Sequence, residues 1–170
     1  SIGSSAVVTI PDITGEMIVG KIEGTNFTDS LLLGHATHGT LSSASQNLGV
    51  GVAALDALTS GDDNSGVGFG AASSLTTGSK NTMIGSRSGV SLTTASENTI
   101  VGYQGLQTDT TSGSQNTGIG MEVLKGVTNG DYNTAVGYKA GDAITEGKGN
   151  VVIGANVDVS SNTGDRQLLI

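Results

Sequence analysis

The stretch Asn133-Thr-Ala-Val-Gly-Tyr-Lys-Ala-Gly141 recurs in variant form along most of this chain, and its spacing sets the architecture. The Asn returns at Asn47, Asn64, Asn81, Asn98, Asn116, Asn133 and Asn150, in steps of 17, 17, 17, 18, 17 and 17 residues. Only 11 Asn occur in all, so seven in phase are no accident of composition. Four residues after each stands a glycine: Gly51, Gly68, Gly85, Gly102, Gly120, Gly137 and Gly154. A β-branched residue precedes each glycine: Val50, Val67, Ile84, Val101, Ile119, Val136 and Ile153. With the Asn as position 0, position +7 is mostly small, +11 mostly apolar and +12 mostly hydroxylic. The +11 pattern fails at Asp109, in the 18-residue unit. One step upstream, Ser30, Leu33 and Gly34 fit the frame without the Asn, giving eight units from Ser30 to about Arg166.

Self-similarity at so short a period, carried by β-branched residues, reads as coils stacked one on another. The expected fold is all-β: a parallel β-solenoid (β-roll) of about eight 17-residue rungs. A short strand runs from Asn to Gly, and a second is expected near +9 to +12. The glycine permits a corner that needs φ > 0 or close backbone approach. Rungs stack at roughly 4.8 Å, so like residues meet and the Asn column forms an amide ladder. The interior is expected to hold the +3 and +11 side chains, and in some rungs those at +1 or +8. Small residues at +2 (Gly49, Gly66, Gly118, Ala135) and at +7 are expected to let neighbouring chains approach. A single stack of such thin rungs buries little, so self-association is expected, three copies about a shared axis. Cyclic closure leaves no lateral edge exposed.

Residues 1–29 lie outside the repeat and read as lead-in or cap strands, with strand-like runs Ala6–Ile10 and Glu16–Ile22. Residues 30–166 are the repeat domain, and 167–170 read as the start of a further segment. The chain opens Ser-Ile-Gly with neither an initiator Met nor a secretory pattern, which reads as a piece of a longer polypeptide.

Composition removes several classes. Gly, Ser, Thr and Asn supply 80 of 170 residues, all poor helix formers, so a helical bundle is excluded. With no Cys there is no disulfide scaffold and no thiolate zinc site. Gly does not recur every third residue, so the chain is not collagen. No run of 18 apolar residues would span a membrane as a helix. The net charge of −8, with only seven scattered basic residues, argues against a nucleic-acid partner.

Candidate chemistry is sparse. His35 and His38, three apart, would need a carboxylate to hold a metal, and His35 sits in the +5 column with Phe69, Tyr103, Met121 and Tyr138. Asp62, Asp63 and Asp131 precede an Asn in turns that suit calcium, but turn chemistry explains them more simply. Gly15-Glu-Met-Ile-Val-Gly-Lys21 lacks the Ser or Thr that completes a phosphate loop. No nucleophile, general base or strained strand-to-helix elbow stands out, so no enzymatic activity, metal or cofactor is expected. Phe69, Tyr103 and Tyr138 remain candidates for receptor or inter-chain contact, with packing between chains the favoured reading.

Units such as Asn133-Thr-Ala-Val-Gly-Tyr and Asn98-Thr-Ile-Val-Gly-Tyr resemble repeats of bacteriophage tail-fibre and related virion fibre proteins. They are also similar to the Asn-Ser-x-Ala-Ile-Gly head repeats of trimeric autotransporter adhesins. That resemblance covers Asn47 to Asn156 and implies a left-handed β-roll in an intertwined homotrimer. The ending Gly164-Asp-Arg-Gln-Leu-Leu-Ile170 resembles the junction before a cleavable C-terminal chaperone. What the resemblance implies is a non-enzymatic, extracellular fibre segment of a virion, supporting attachment to a host receptor or glycan and joined to adjacent fibre domains. The alternative is an adhesin head on a bacterial surface. An ice-binding solenoid and a tailspike enzyme are less favoured, the former because Thr76-Thr77 and Thr93-Thr94 supply one outward Thr column rather than a grid.

Overall fold

In a computed structural model of the chain, residues 21–24, 27–33, 42–108 and 112–170 are described. The strand-like runs before Lys21, His35, His38 and Asp109 lie outside them. Seven three-residue strands repeat the Asn-to-Gly segment: β4 (Leu48–Val50), β5 (Ser65–Val67), β6 (Thr82–Ile84), β7 (Thr99–Val101), β8 (Thr117–Ile119), β9 (Thr134–Val136) and β10 (Val151–Ile153). Each pairs in parallel with the next, like residue opposite like, as in Thr82↔Thr99 and Ile84↔Val101. The chain is thus a β-solenoid of about eight turns.

At one end β2 (Phe27–Leu33) supplies the first rung and pairs with β4 and with β3 (Ala44–Ser45). β1 (Lys21–Gly24) folds back on β2 as an antiparallel hairpin and covers that edge. At the other end β11 (Leu168–Leu169) pairs with β10, Val151 opposite Leu168. Leu168 and Leu169 therefore extend the ladder by one rung. From β2 to β11 the stack rises on the order of 38 Å at the usual strand spacing.

The second strand expected near +9 to +12 does not form. That part of the rung is two successive turns, and in most rungs the +7 amide bonds the +4 carbonyl and the +11 amide the +8 carbonyl. Ala54 N–H to Gly51 O (3.2 Å) and Leu58 N–H to Leu55 O (3.2 Å) show the pattern. Non-glycine residues take left-handed φ in three columns: −1 (Lys80, Glu97, Tyr132), +6 (Arg87, Gln104, Lys139) and +8 (Leu55, Leu106, Leu124). Such a φ costs of order 1 kcal/mol or more for an L-residue. The reversed peptide turns its N–H along the stack and bonds the adjoining rung: Lys80 to Asp62 O, Arg87 to Phe69 O, Leu106 to Val123 O. The rung-to-rung bonds these amides make offset that strain.

Interior and exterior are partitioned differently from expectation. Side chains alternate along a strand, and the inward position is +2, not +3. Gly49, Gly66, Met83, Ile100, Gly118, Ala135 and Val152 are buried, while most of the β-branched +3 residues are exposed. The core is built from columns +2, +7, +8 and +11, with Leu58, Leu75, Leu92, Val127 and Ile144 in the last. Small residues at +2 and +7 thus admit interior neighbours rather than other chains. A Cβ on Gly118 would lie 2.8 Å from Val123 and 2.9 Å from Ile100; one on Gly89 would lie 2.7 Å from Met83 Sδ. Volume is traded between columns from rung to rung, which keeps a narrow interior full. Leu92→Ala removes a side chain with no exposed surface and is expected to cost about 2–5 kcal/mol in urea unfolding followed by circular dichroism.

Candidate functional site

Side-chain ladders at the Asn, at −2 and at the hydroxylic +12 position (Thr59 Oγ1 to Thr76 O, 3.0 Å) hold the rungs in register, and other columns face outward. The Asn ladder is the inner one. Asn47, Asn64, Asn81, Asn98, Asn116, Asn133 and Asn150 are all buried. Each Oδ1 from Asn47 to Asn133 accepts two bonds from the following Asn, one from its amide and one from its Nδ2: Asn98 Oδ1 receives Asn116 N at 3.0 Å and Nδ2 at 3.1 Å. Each Nδ2 also reaches the −3 carbonyl of the following rung, as Asn133 Nδ2 does at Gly147 O (2.9 Å). Every donor and acceptor of the side chain is used, which makes burial of seven amides tolerable. Ser30 starts the ladder by accepting from Asn47 N–H (2.7 Å). Gln167 ends it: its N–H meets Asn150 Oδ1 (2.8 Å), and its longer side chain turns back onto Ser161 and Gly164. The 18-residue rung keeps the Asn98–Asn116 step intact.

The second ladder, at −2, was not anticipated. A short oxygen-bearing side chain there accepts the −2 amide of the rung before: Asp62 Oδ1 from Ser45 N–H (2.8 Å), Ser79 Oγ from Asp62 N–H (3.0 Å), Asp131 Oδ1 from Ser114 N–H (2.9 Å). Asp62 and Asp131 are therefore rung-to-rung acceptors rather than simply solvated turn residues; Asp63, at −1, is exposed with left-handed φ. The regular run of Ser and Asp two residues before each Asn was the signal for this ladder. Where Lys148 interrupts it, Asp165 accepts from Lys148 N–H (2.7 Å) and Lys148 Nζ meets Asp131 Oδ2 (2.7 Å). The hydrogen bond to Asp131 and that carboxylate's charge raise the Lys148 ammonium pKa above its ordinary value. On the last full rung Asp158 stands at +8, where other rungs hold Leu, Ala or Gly. Partial burial lifts its carboxyl above the usual carboxylate range, and Asp142 alongside adds to this.

The outward columns are +1, +3 and +5. Position +1 is Thr in four successive rungs (Thr82, Thr99, Thr117, Thr134), and +3 is Val or Ile throughout. The 21 positions of these three columns, from Leu48 to Ala155, hold none of the chain's 7 basic and 15 acidic residues. They make a neutral face roughly 29 Å long. Uncharged apolar patches of that size on a folded surface commonly mark contact sites. Phe69, Tyr103 and Tyr138 all fall in the +5 column and are exposed by 54%, 43% and 40%. Beside them Glu122 receives Lys125 Nζ (3.3 Å) and Lys139 Nζ (3.7 Å), and Lys139 Nζ lies 5.6 Å from the Tyr138 ring centre. Tyr138 and then Glu122 raise the Lys139 pKa above its ordinary value.

Among the described residues, no three of His, Cys, Asp and Glu gather as a metal site would require. Among the same residues no helix is long and apolar enough to cross a membrane. No protein family, curated protein or solved structure matches the chain.

Proposed function

We propose that this chain is a structural segment of a fibre, of the kind a phage tail or other virion appendage uses to support attachment to a host. Its role is mechanical and non-enzymatic, and its working form is a homotrimer. The observation that carries this reading is the charge-free outer face, which runs unbroken along a stack already tied by backbone and Asn bonds. A second copy has the same rung spacing, so its Val and Ile can interdigitate with these over many rungs. Interface centres are depleted in charge, as the +1 and +3 columns of this face are. Covering the face also removes from water a row of β-branched side chains, each worth on the order of 1 kcal/mol when half-exposed groups become buried.

Multi-angle light scattering of the purified chain tests this, the expected mass being three times 16.8 kDa. Val101→Glu with Ile119→Glu places two charges on the face without touching the interior. The double variant is expected to run as a monomer while keeping the parent's circular dichroism spectrum. A parent chain that stays monomeric at high micromolar concentration would overturn the self-association.

A further inference from the structure

The +5 column has an order that its composition conceals. Reading rung by rung from β4, it runs Val52, Phe69, Ser86, Tyr103, Met121, Tyr138, Ala155. Rings stand on every second rung and never on adjacent ones. The three rings within the described residues are exposed, and each is two rungs from the next, roughly 9.6 Å at the usual strand spacing. From Phe69 to Tyr138 the row covers four rung steps, roughly 19 Å.

We infer that this row binds an extended, uncharged β-1,4-linked glycan lying along the stack. A ring that is part of a seam between proteins gains nothing from strict alternation. A ligand whose own repeat is twice the rung spacing does. In an extended β-1,4-linked chain each pyranose advances by about one rung and turns over relative to its neighbour. The same C–H face therefore recurs at every second sugar, which is where the rings are. Sugar C–H groups carry partial positive charge and are attracted to the negative face of an aromatic ring. Planar bases of a single-stranded nucleic acid would also stack, but the −8 charge of the chain opposes their phosphates. A neutral polymer meets no such barrier on a face without charge. Hydroxyls find partners in the next column, where Arg87, Gln104, Glu122, Lys139 and Asn156 follow the +5 residues. Lys139 already occupies the neighbourhood of the Tyr138 ring, so Phe69 and Tyr103 carry the largest share.

This inference builds on the attachment role proposed above by naming a ligand class for it, but its geometry is present in a single chain. Isothermal titration of the purified chain with cellohexaose and chitohexaose tests it, with sedimentation run on every sample. At least one hexaose is expected to bind, at least about tenfold more tightly than the corresponding triose, which cannot span three rings. Maltohexaose, whose α-linkage coils the chain, is expected to bind at least as weakly as the triose. Tyr103→Ala is expected to lose about tenfold in affinity, equivalent to about 1.4 kcal/mol, and Tyr103→Phe to lose little. Tyr103→Ala combined with Ser86→Tyr restores the number of rings one rung out of place and is expected to stay weak. Absence of binding to both hexaoses overturns the inference, and so does full binding by the displaced-ring variant. So too does a Tyr103→Ala variant whose assembly falls apart while its glycan affinity is kept, because the column would then be a seam between copies. Loss of the trimer in the parent with glycan binding intact would instead overturn the fibre reading alone.

Discussion

Gly102→Ala is expected to cost about 4 kcal/mol or more, while Gly70→Ala costs about 1 kcal/mol. Both glycines have positive φ, +145° at Gly102 and +63° at Gly70. They differ in clearance. A Cβ on Gly70 would find its nearest neighbours 4.0 Å away, the Arg87 and Ser73 side chains. Its column already accepts Ala53, Arg87 and Lys139 in the same backbone state. A Cβ on Gly102 would overlap the carbonyl of Gly120 in the next rung, and Gly51, Gly68, Gly85, Gly120 and Gly137 repeat this, a Cβ on Gly51 lying 2.5 Å from the oxygen of Gly68. Retreat is blocked because Gly102 N–H bonds Ile84 O and Gly120 N–H bonds Val101 O, each at 2.8 Å. The rungs must part to admit one methyl group, so the lesion severs the ladder at mid-length. Each rung touches only its neighbours, so the two halves should then unfold separately. Urea melts followed by circular dichroism will show a broadened or biphasic transition for Gly102→Ala and a single, slightly shifted one for Gly70→Ala. Equal shifts for the two variants would mean that φ alone, not the approach of successive rungs, fixes the glycine.

The glycine and asparagine columns were legible because their chemistry admits one residue type, so the period survives whatever the other positions do. Which side of the strand faces the core was not. Hydropathy favours Val101 and Ile119 for the interior over Gly118 and Ala135, and the structure places them the other way round. The reason is shape. The interior is too narrow for a bulky residue in every column, so Gly118 yields to Val123 and Ile100, and Gly89 to Met83. Columns +2, +7 and +8 mix small and bulky residues and do not look apolar singly; of the core columns only +11 does. The outer face, free of such limits, carries the uniform row of Val and Ile. That exchange also removes the argument from thinness: a single chain fills its own core, so self-association rests on the exposed face instead.

The left-handed positions were invisible for a different reason. Lys80, Glu97 and Arg87 are residues for which sequence offers no hint of positive φ, and the conformation is imposed by an amide that must find a carbonyl in the adjoining rung. Local preference loses to stacking there, a tertiary effect that no window of sequence contains. The aromatic residues at +5 were legible as exposed candidates, but their alternation means little until the rungs are known to stack in register.

Asn98→Ala should prove nearly as damaging as the glycine change, at about 3–5 kcal/mol, although it removes only one small polar group. The substitution orphans the Asn116 amide and one hydrogen of Asn116 Nδ2, and it leaves the Gly113 carbonyl without its partner at 3.0 Å. All of these lie where water has no ready access, so each costs on the order of 1–3 kcal/mol. Asn98→Asp separates shape from hydrogen bonding. Its Oδ1 can still accept from Asn116, but the second oxygen now faces the acceptors Asn81 Oδ1 and Gly113 O in place of the Nδ2 that donated to them. Burial and that opposition favour the protonated carboxyl, whose O–H can donate, so the folded-state pKa rises above the unfolded value of about 3.9. The folded state then holds more protons than the unfolded state, and stability falls as pH rises through that interval. Relative to the parent, Asn98→Asp is expected to be close to neutral near pH 3 and about 3 kcal/mol less stable near pH 7. Paired urea melts at the two pH values measure the difference. A deficit independent of pH would show that the ladder depends on the fit of the side chain rather than on the direction of its hydrogen bonds.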